Sequence, residues 1–299
     1  MLTALRSSPH HHARSSNPAY PSRTPVPDDK LSWDTAWPDY SPRDFTLERT
    51  LKRSPDNADA KKIPDLAKRV SHAGPMRLDP TSGRPLNPRG RTGLAGRGKL
   101  YRWGPNQAAD PIISRVAPDA SSSSSTRTLE IVVIKRGDTG AWALPGGIVD
   151  SNEEAEEAAK REFGEETLGI QPSKEASKAE QKEQDRQTKA KAVLDKIFPL
   201  PAAKSGAAVE RVYAGYIDDP RNTDNAWIES CVFHAHLSAD DAAALTPLLK
   251  AGDDAKEVRW MAVSAEGESD EMKKLYASHK LIVQLAVQQW KDKQQGGGS

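Results

Sequence analysis

The chain has 299 residues, 43 of them Lys or Arg against 42 Asp or Glu, for a formal charge of +1. The length favours two modest domains, and a hydrophobic fraction of 36% beside 28% charged residues argues against one large core. The charge balance excludes a global attraction to nucleic acid or to an anionic membrane surface. No apolar run is long enough to span a membrane, and Cys231 as the sole cysteine excludes intramolecular disulfides and suits a reducing, intracellular compartment.

In chain order, residues 1–27 contain Arg6, Arg14 and Arg23, many Ser and Pro residues, three consecutive histidines from His10 to His12, and no acidic residue. Such a composition predicts a disordered tail. A mitochondrial presequence shares this chemistry, but the prolines interrupt any amphipathic helix. Residues 28–118, rich in Pro, Gly and paired charges, predict a small loop-dominated domain held by Trp33, Trp37, Tyr40, Phe45, Tyr101 and Trp103. The serine run Ser121 to Ser125 predicts a mobile loop.

A compact second domain is expected over 127–295. It opens with a strand through Leu129 and Ile131 to Ile134, followed by a helix over Asn152 to Thr167 with Asp150, Ser151 or Asn152 as its N-cap. Lys174 to Lys191 reads as a solvated helix with salt-bridged faces. Tyr213 to Ile217 and Trp227 to Leu237 read as strands, the second alternating so that one face should be the more buried. Its Cys231 reads as a buried thiol. His234 and His236 share a face at a spacing that suits a metal, but polar groups on an exposed strand face are the preferred reading. Val258 to Val263 is a further strand and Leu281 to Trp290 an amphipathic helix. Gly296 to Ser299 reads as a flexible linker or fusion scar.

The chemistry concentrates in GGIVDSNEEAEEAAKREFGEETLG, which begins at Gly146. On the predicted helix Glu162, Glu165 and Glu166 stand at i, i+3 and i+4, so three like charges share one face. Arg161 offsets part of their repulsion, and a hard, oxygen-binding cation offsets it better. Gly146 and Gly147 allow a sharp turn and close approach to a ligand, with their carbonyls available to a metal. Three glutamates alone would read as a solvated face. The joint spacing of Gly147, Glu153, Arg161, Glu162, Glu165 and Glu166 recurs by chance on the order of once in 10⁷ positions, which removes that reading.

These residues resemble the Nudix box: glycine, five residues, Glu, seven residues, Arg-Glu, an apolar residue, any residue, Glu-Glu, any residue, glycine. The match runs from Gly147 through Glu166. Leu168 stands where the box has its last glycine, with Gly169 one place late. GRTGLAGRG at 90–98, RWGPNQAADPIISR at 102–115, AWALPGGIVD at 141–150, DDPRNTDNAW at 218–227, AGDD at 251–254 and LYASH at 275–279 are similar to the ADP-ribose pyrophosphatase subfamily. That subfamily comprises the mitochondrial-type enzymes and the homologous C-terminal domain of ADP-ribose-gated melastatin cation channels.

The resemblance implies an α/β fold, a Nudix α/β/α sandwich with a smaller, loop-rich, substrate-capping N-terminal domain and a cleft between the two. It implies magnesium-dependent hydrolysis of ADP-ribose to AMP and ribose 5-phosphate, with manganese as an alternative metal. The Gly146 carbonyl, Glu162, Glu165 and Glu166 would hold the metal. Arg161 and Glu153 join the three glutamates as catalytic residues, and Gly147, Ile148, Asp219, Arg221, Tyr276, Ser278 and His279 would contact substrate. Without the resemblance, Asp219-Pro220-Arg221 reads as an ordinary turn, Tyr276 as a core aromatic and His279 as a helix-surface group. No nucleic-acid partner and no direct membrane contact are expected. The competing expectation is an ADP-ribose-sensing domain of a channel polypeptide, which the intact carboxylates would leave able to hydrolyse its ligand. A free enzyme would be mitochondrial and a channel domain cytoplasmic. A third reading, a hydrolase for another nucleoside diphosphate derivative or an oxidised nucleotide, fits the segments outside the box less well.

Overall fold

The computed structural model describes residues 9–54, 56, 59–118, 128–170, 181–199, 209–252, 254–264 and 269–296. The serine run and positions 174–180 of the expected solvated helix lie outside them. The chain divides into two compact units, residues 1–107 with 214–230, and residues 108–213 with 231–299.

The first unit is mostly loop. It contains α1 (His11–Arg14), β1 (Asp44–Thr46), α2 (Glu48–Arg53) and β2 (Ala95–Gly98), with β1 and β2 paired in parallel. Polar groups and stacked rings compensate for the small core. The Arg91 guanidinium lies 4.9 Å from the ring centre of Trp33, 5.9 Å from Trp37 and 5.2 Å from Tyr40, an arrangement that fixes a charge by its ring contacts. Trp103 packs with Ala60 and Leu66. Tyr101, expected as an anchor, is instead exposed.

From residue 9 onward the expected tail is built into this unit. His10, Ala13, Tyr20 and Val26 are buried. The backbone amides of His12 and Ala13 donate to the Asp218 carboxylate at 3.0 and 2.8 Å, and Arg23 donates to the carbonyls of Pro220 and Asn222, both at 2.8 Å. Residues too polar to form a core of their own are ordered here by donating to one about 200 positions away in sequence, |i−j| being 205 for Ala13 and Asp218.

The second unit is of the α/β class. Its sheet is formed by β3 (Gly104–Val116), β4 (Leu129–Arg136), β5 (Trp142–Ala143), β6 (Gly147–Ile148), β7 (Glu210–Tyr216), β8 (Ala226–His236) and β9 (Ala255–Val263). The main path is β5-β4-β3-β8-β7, with β6 on β3 and β9 on β4; β3, β7 and β8 also run into the first unit. The helices are α3 (Ala155–Leu168), α4 (Gln181–Ile197), α5 (Ala239–Leu245) and α6 (His279–Gly296). Leu129, Ile131–Ile134, Phe163, Leu168, Met261, Ile282 and Val283 form its buried core. Among the described residues no helix is long and apolar enough to cross a membrane.

The alternation in β8 does not produce one wet face. Ala226 through Ala235 are all buried, because β8 is an interior strand between β3 and β7 and both its faces are covered. Cys231 is buried and in no disulfide, in line with the buried thiol expected. His234 is buried rather than exposed, with Nε2 2.7 Å from the Ser114 hydroxyl, and His236 Nδ1 approaches the same oxygen at 2.9 Å. His236 also packs on Trp290 of α6, with ring centres 5.0 Å apart. Two neutral imidazoles can share one hydroxyl, the first accepting its proton and the second donating to its oxygen.

Burial lowers the pKa of His234 to about 4, and the neighbouring His236 adds to the effect. A histidine whose folded pKa lies below the unfolded value of about 6.5 contributes full stability above that pH and progressively less as pH falls towards 4. Thermal unfolding of the unaltered protein between pH 7 and pH 4.5 should therefore show a steeper loss than His234→Gln, the difference being on the order of 2 kcal/mol. Parallel pH profiles would count against this assignment.

Candidate active site

The site begins with a glycine turn. β6 hangs on β3 through Ala109 opposite Gly147 and Ala108 opposite Ile148. Gly146, just before it, has φ +146°, and a Cβ there would lie 2.3 Å from Asp110 Oδ1 and 2.6 Å from the Ala109 carbonyl oxygen. Only glycine fits. A Cβ on Gly147 would lie 2.4 Å from Glu162 Oε1, so the carboxylate occupies the space a side chain would need.

α3 follows, starting later than the sequence suggests. Asn152 has φ +67° and belongs to the turn. Glu154 is the N-cap, completing a reciprocal capping box with Glu157. At the other end Gly169, at φ +57°, closes the helix in the left-handed conformation, which accounts for a glycine one place late.

Arg161 gathers the acidic face. Its Nε and Nη2 donate to the two Glu153 oxygens at 2.8 and 2.9 Å, Nη2 also to the Ile148 carbonyl at 3.2 Å, and Nη1 to Glu162 at 2.7 Å and Glu165 at 3.4 Å. The bond to Glu153 is the main reason the guanidinium holds its proton more tightly than usual. Reciprocally, Arg161 keeps the Glu153 carboxyl below the ordinary carboxylate range.

Glu166 is different. It is 7% exposed and accepts a hydrogen bond from the Gly146 amide at 2.9 Å. Burial pushes its pKa up to about 8; that amide acts the other way, the charges of Glu162 and Asp110 raise it further, and Arg136 opposes them. A cation would displace the proton from this carboxyl. The available donors are carboxylate and carbonyl oxygens, which suit a hard divalent ion. Among the described residues no three His, Cys, Asp or Glu side chains stand close enough to cage an ion; Glu162 and Glu165 accept from Arg161, and Glu166 from the Gly146 amide.

The remaining expected residues form two groups. In the second unit, Tyr276, Ser278 and His279 lie at the start of α6. The Ser278 carbonyl accepts from the amides of Leu281 and Ile282 at 3.1 and 3.3 Å. His279 is buried rather than on the helix surface; its Nδ1 accepts from the Leu144 amide at 3.0 Å and so braces the chain just before Pro145 and Gly146. In the first unit Asp219 is 1% exposed and accepts from the backbone amide, Nε and Nη2 of Arg221 at 2.7, 2.8 and 2.9 Å. Asp110 within β3 and Arg136 at the end of β4 belong to no spaced motif, and a charge among the apolar residues of a strand is their only signal in the sequence.

Two family descriptions match this chain: "NUDT9-like, N-terminal domain" over residues 26–104 and "NUDIX domain" over residues 123–284. The chain belongs to the NUDIX family. It is 37% identical to the mitochondrial ADP-ribose pyrophosphatase of Rattus norvegicus over 305 residues, covering 95% of this chain and 79% of the relative. It is 38% identical to nudix hydrolase 6 of Caenorhabditis elegans, covering 88% and 89%. It is also 36% identical to "Transient receptor potential cation channel subfamily M member-like 2" of Nematostella vectensis, where it covers 92% of this chain but 17% of the channel. Nudix hydrolases generally need divalent metal ions, and the donor atoms beside Gly146 are of the oxygen type such an ion takes.

A buried acid whose pKa is raised above its unfolded value contributes stability at low pH and loses it as pH rises through the folded value. In the metal-free protein, Glu166→Gln should therefore raise the thermal midpoint at pH 9 by about 2–8 °C, with a smaller gain at pH 6. Calorimetry showing destabilisation at pH 9 would mean that the carboxylate is better solvated than its burial indicates.

Proposed function

We propose that the protein hydrolyses ADP-ribose with water to AMP and ribose 5-phosphate, using magnesium, with manganese as the alternative. The observation that carries this reading is the complete set of Arg161, Glu162, Glu165 and Glu166 on one helix beside Gly146, in a chain similar over 95% of its length to an ADP-ribose pyrophosphatase. Glu162, Glu165, Glu166 and the Gly146 carbonyl would hold the metal. Bound there, it would neutralise charge building on the diphosphate and make water easier to deprotonate. One carboxylate of this group takes the proton of the attacking water, and Arg161 with Glu153 keeps the group aligned. Gly147 and Ile148 would pass close to the diphosphate, and Asp219, Arg221, Tyr276, Ser278 and His279 would hold the ribose and adenosine ends.

The similarity to channel polypeptides supports a second reading, in which the same fold senses ADP-ribose as part of a longer chain in the cytoplasm rather than clearing it in mitochondria. The intact carboxylates predict hydrolysis in either setting. Incubation with ADP-ribose and excess magnesium should release AMP, detected by chromatography; binding without release would leave only the sensing reading. Glu166→Gln should slow single-turnover hydrolysis about a thousandfold, equivalent to roughly 4 kcal/mol, while ADP-ribose binding measured without metal stays within a few fold. Near-normal hydrolysis by this variant would remove the cluster from catalysis.

A further inference from the structure

If ADP-ribose is the ligand, as proposed above, its diphosphate must approach a surface carrying Glu153, Glu162, Glu165, Glu166 and Asp110. Arg161 has its donors committed to carboxylates and to the Ile148 carbonyl. A second cation lies nearby, outside the box. Arg136 ends β4, and β4 pairs with β5, which runs directly into Leu144 and the glycine turn. The guanidinium carbon lies 4.8 Å from the ring centre of Tyr276, and Nε and Nη2 donate to Asp138 at 2.9 Å each.

The local fold fixes this position. The Arg136 amide donates to the Ala141 carbonyl at 2.9 Å, closing the turn, and the Tyr276 amide donates to the Trp142 carbonyl at 2.8 Å. Tyr276 in turn packs edge-on against His279, with ring centres 6.0 Å apart, and His279 holds Leu144. A continuous set of contacts thus runs from Arg136 through Tyr276 and His279 to the glycine turn. Asp138 is 54% exposed, so solvent and salt screen its side of this paired contact, and a diphosphate, with more negative charge, competes with it for the same guanidinium. A guanidinium suits phosphate oxygens, with which it can form paired hydrogen bonds.

We infer that Arg136 is a substrate-recognition residue: it leaves Asp138 to bind the diphosphate of the nucleotide, with the Tyr276 ring holding the guanidinium in place. A clamp that only supports Tyr276 is the rival role, and it predicts different behaviour from a lysine. A lysine retains the charge and loses most of the flat stacking surface.

The test is calorimetric ADP-ribose binding to the full chain without divalent metal, joined to steady-state kinetics with magnesium. Arg136→Ala should weaken binding and raise KM roughly 10- to 100-fold with kcat within about threefold, and its thermal midpoint should stay near that of the unaltered protein. Arg136→Lys, which keeps the charge without the paired hydrogen bonds, should recover part of the affinity and bind measurably better than Arg136→Ala. Asp138→Asn, which removes the competing anion, should tighten binding a few fold at low salt, with the gain shrinking as salt rises. Binding within twofold of normal in Arg136→Ala overturns the inference, as does binding by Arg136→Lys no better than by Arg136→Ala. Because binding is read without turnover, a failure of the unaltered protein to release AMP would overturn the hydrolase reading separately.

Discussion

The acidic helix face depends on one guanidinium. Without Arg161, Glu153, Glu162 and Glu165 would crowd together with no cation between them, and the Ile148 carbonyl would lose a donor. A planar fork can serve two oxygens of one carboxylate and still reach two more acids, which an ammonium group cannot do with the same geometry. Arg161 thereby fixes the side chains relative to β6 as well as offsetting their charge, because the Ile148 carbonyl belongs to that strand. The helix and the glycine turn are joined at this point and again where the Gly146 amide meets Glu166.

Steric constraint supplies the rest. Gly146 is required because its backbone is left-handed and the Ala109 carbonyl and Asp110 stand where a side chain would be, whereas a side chain on Gly147 would have to displace the Glu162 carboxylate. His279 reinforces the same turn from α6 through Leu144. A two-residue strand has too few ladder bonds to be rigid alone. Its position is set instead by β3 on one side, Arg161 and Glu166 from α3, and α6 just upstream.

The helix and its carboxylates were legible because their determinants are local: spacing of three, four and eight residues within a strongly helix-forming stretch. What was not legible depends on partners far away in sequence. The start of α3 moved to Ala155 because Asn152 takes a turn conformation and Glu154 finds Glu157, a choice among several acceptable caps. Alternation in β8 suggested one wet face, but strand position in the sheet decides exposure, and no strand carries that information in its own sequence. His234 is buried because Ser114 on β3 satisfies it. Residues after Pro9 lack a core of their own, and Asp218 together with the carbonyls near it supplies the order that composition could not predict.

Buried acids in this protein divide into two kinds, and the difference separates support from chemistry. Glu229 is fully buried and receives Ser71 Oγ at 2.6 Å, the His72 amide at 2.6 Å and Trp227 Nε1 at 2.8 Å. Asp56 receives two nitrogens of Arg69, at 2.5 and 2.7 Å, and the Trp103 amide at 2.8 Å. Both are surrounded by donors, so their burial costs little and pins loops in the first unit. Glu166 has the Gly146 amide as a donor but feels the charges of Glu162 and Asp110. Folding alone gains nothing from placing acids together in that way. A cation joining the proposed site would make the arrangement favourable, and for that reason the raised pKa of Glu166 supports the proposal that chemistry takes place there.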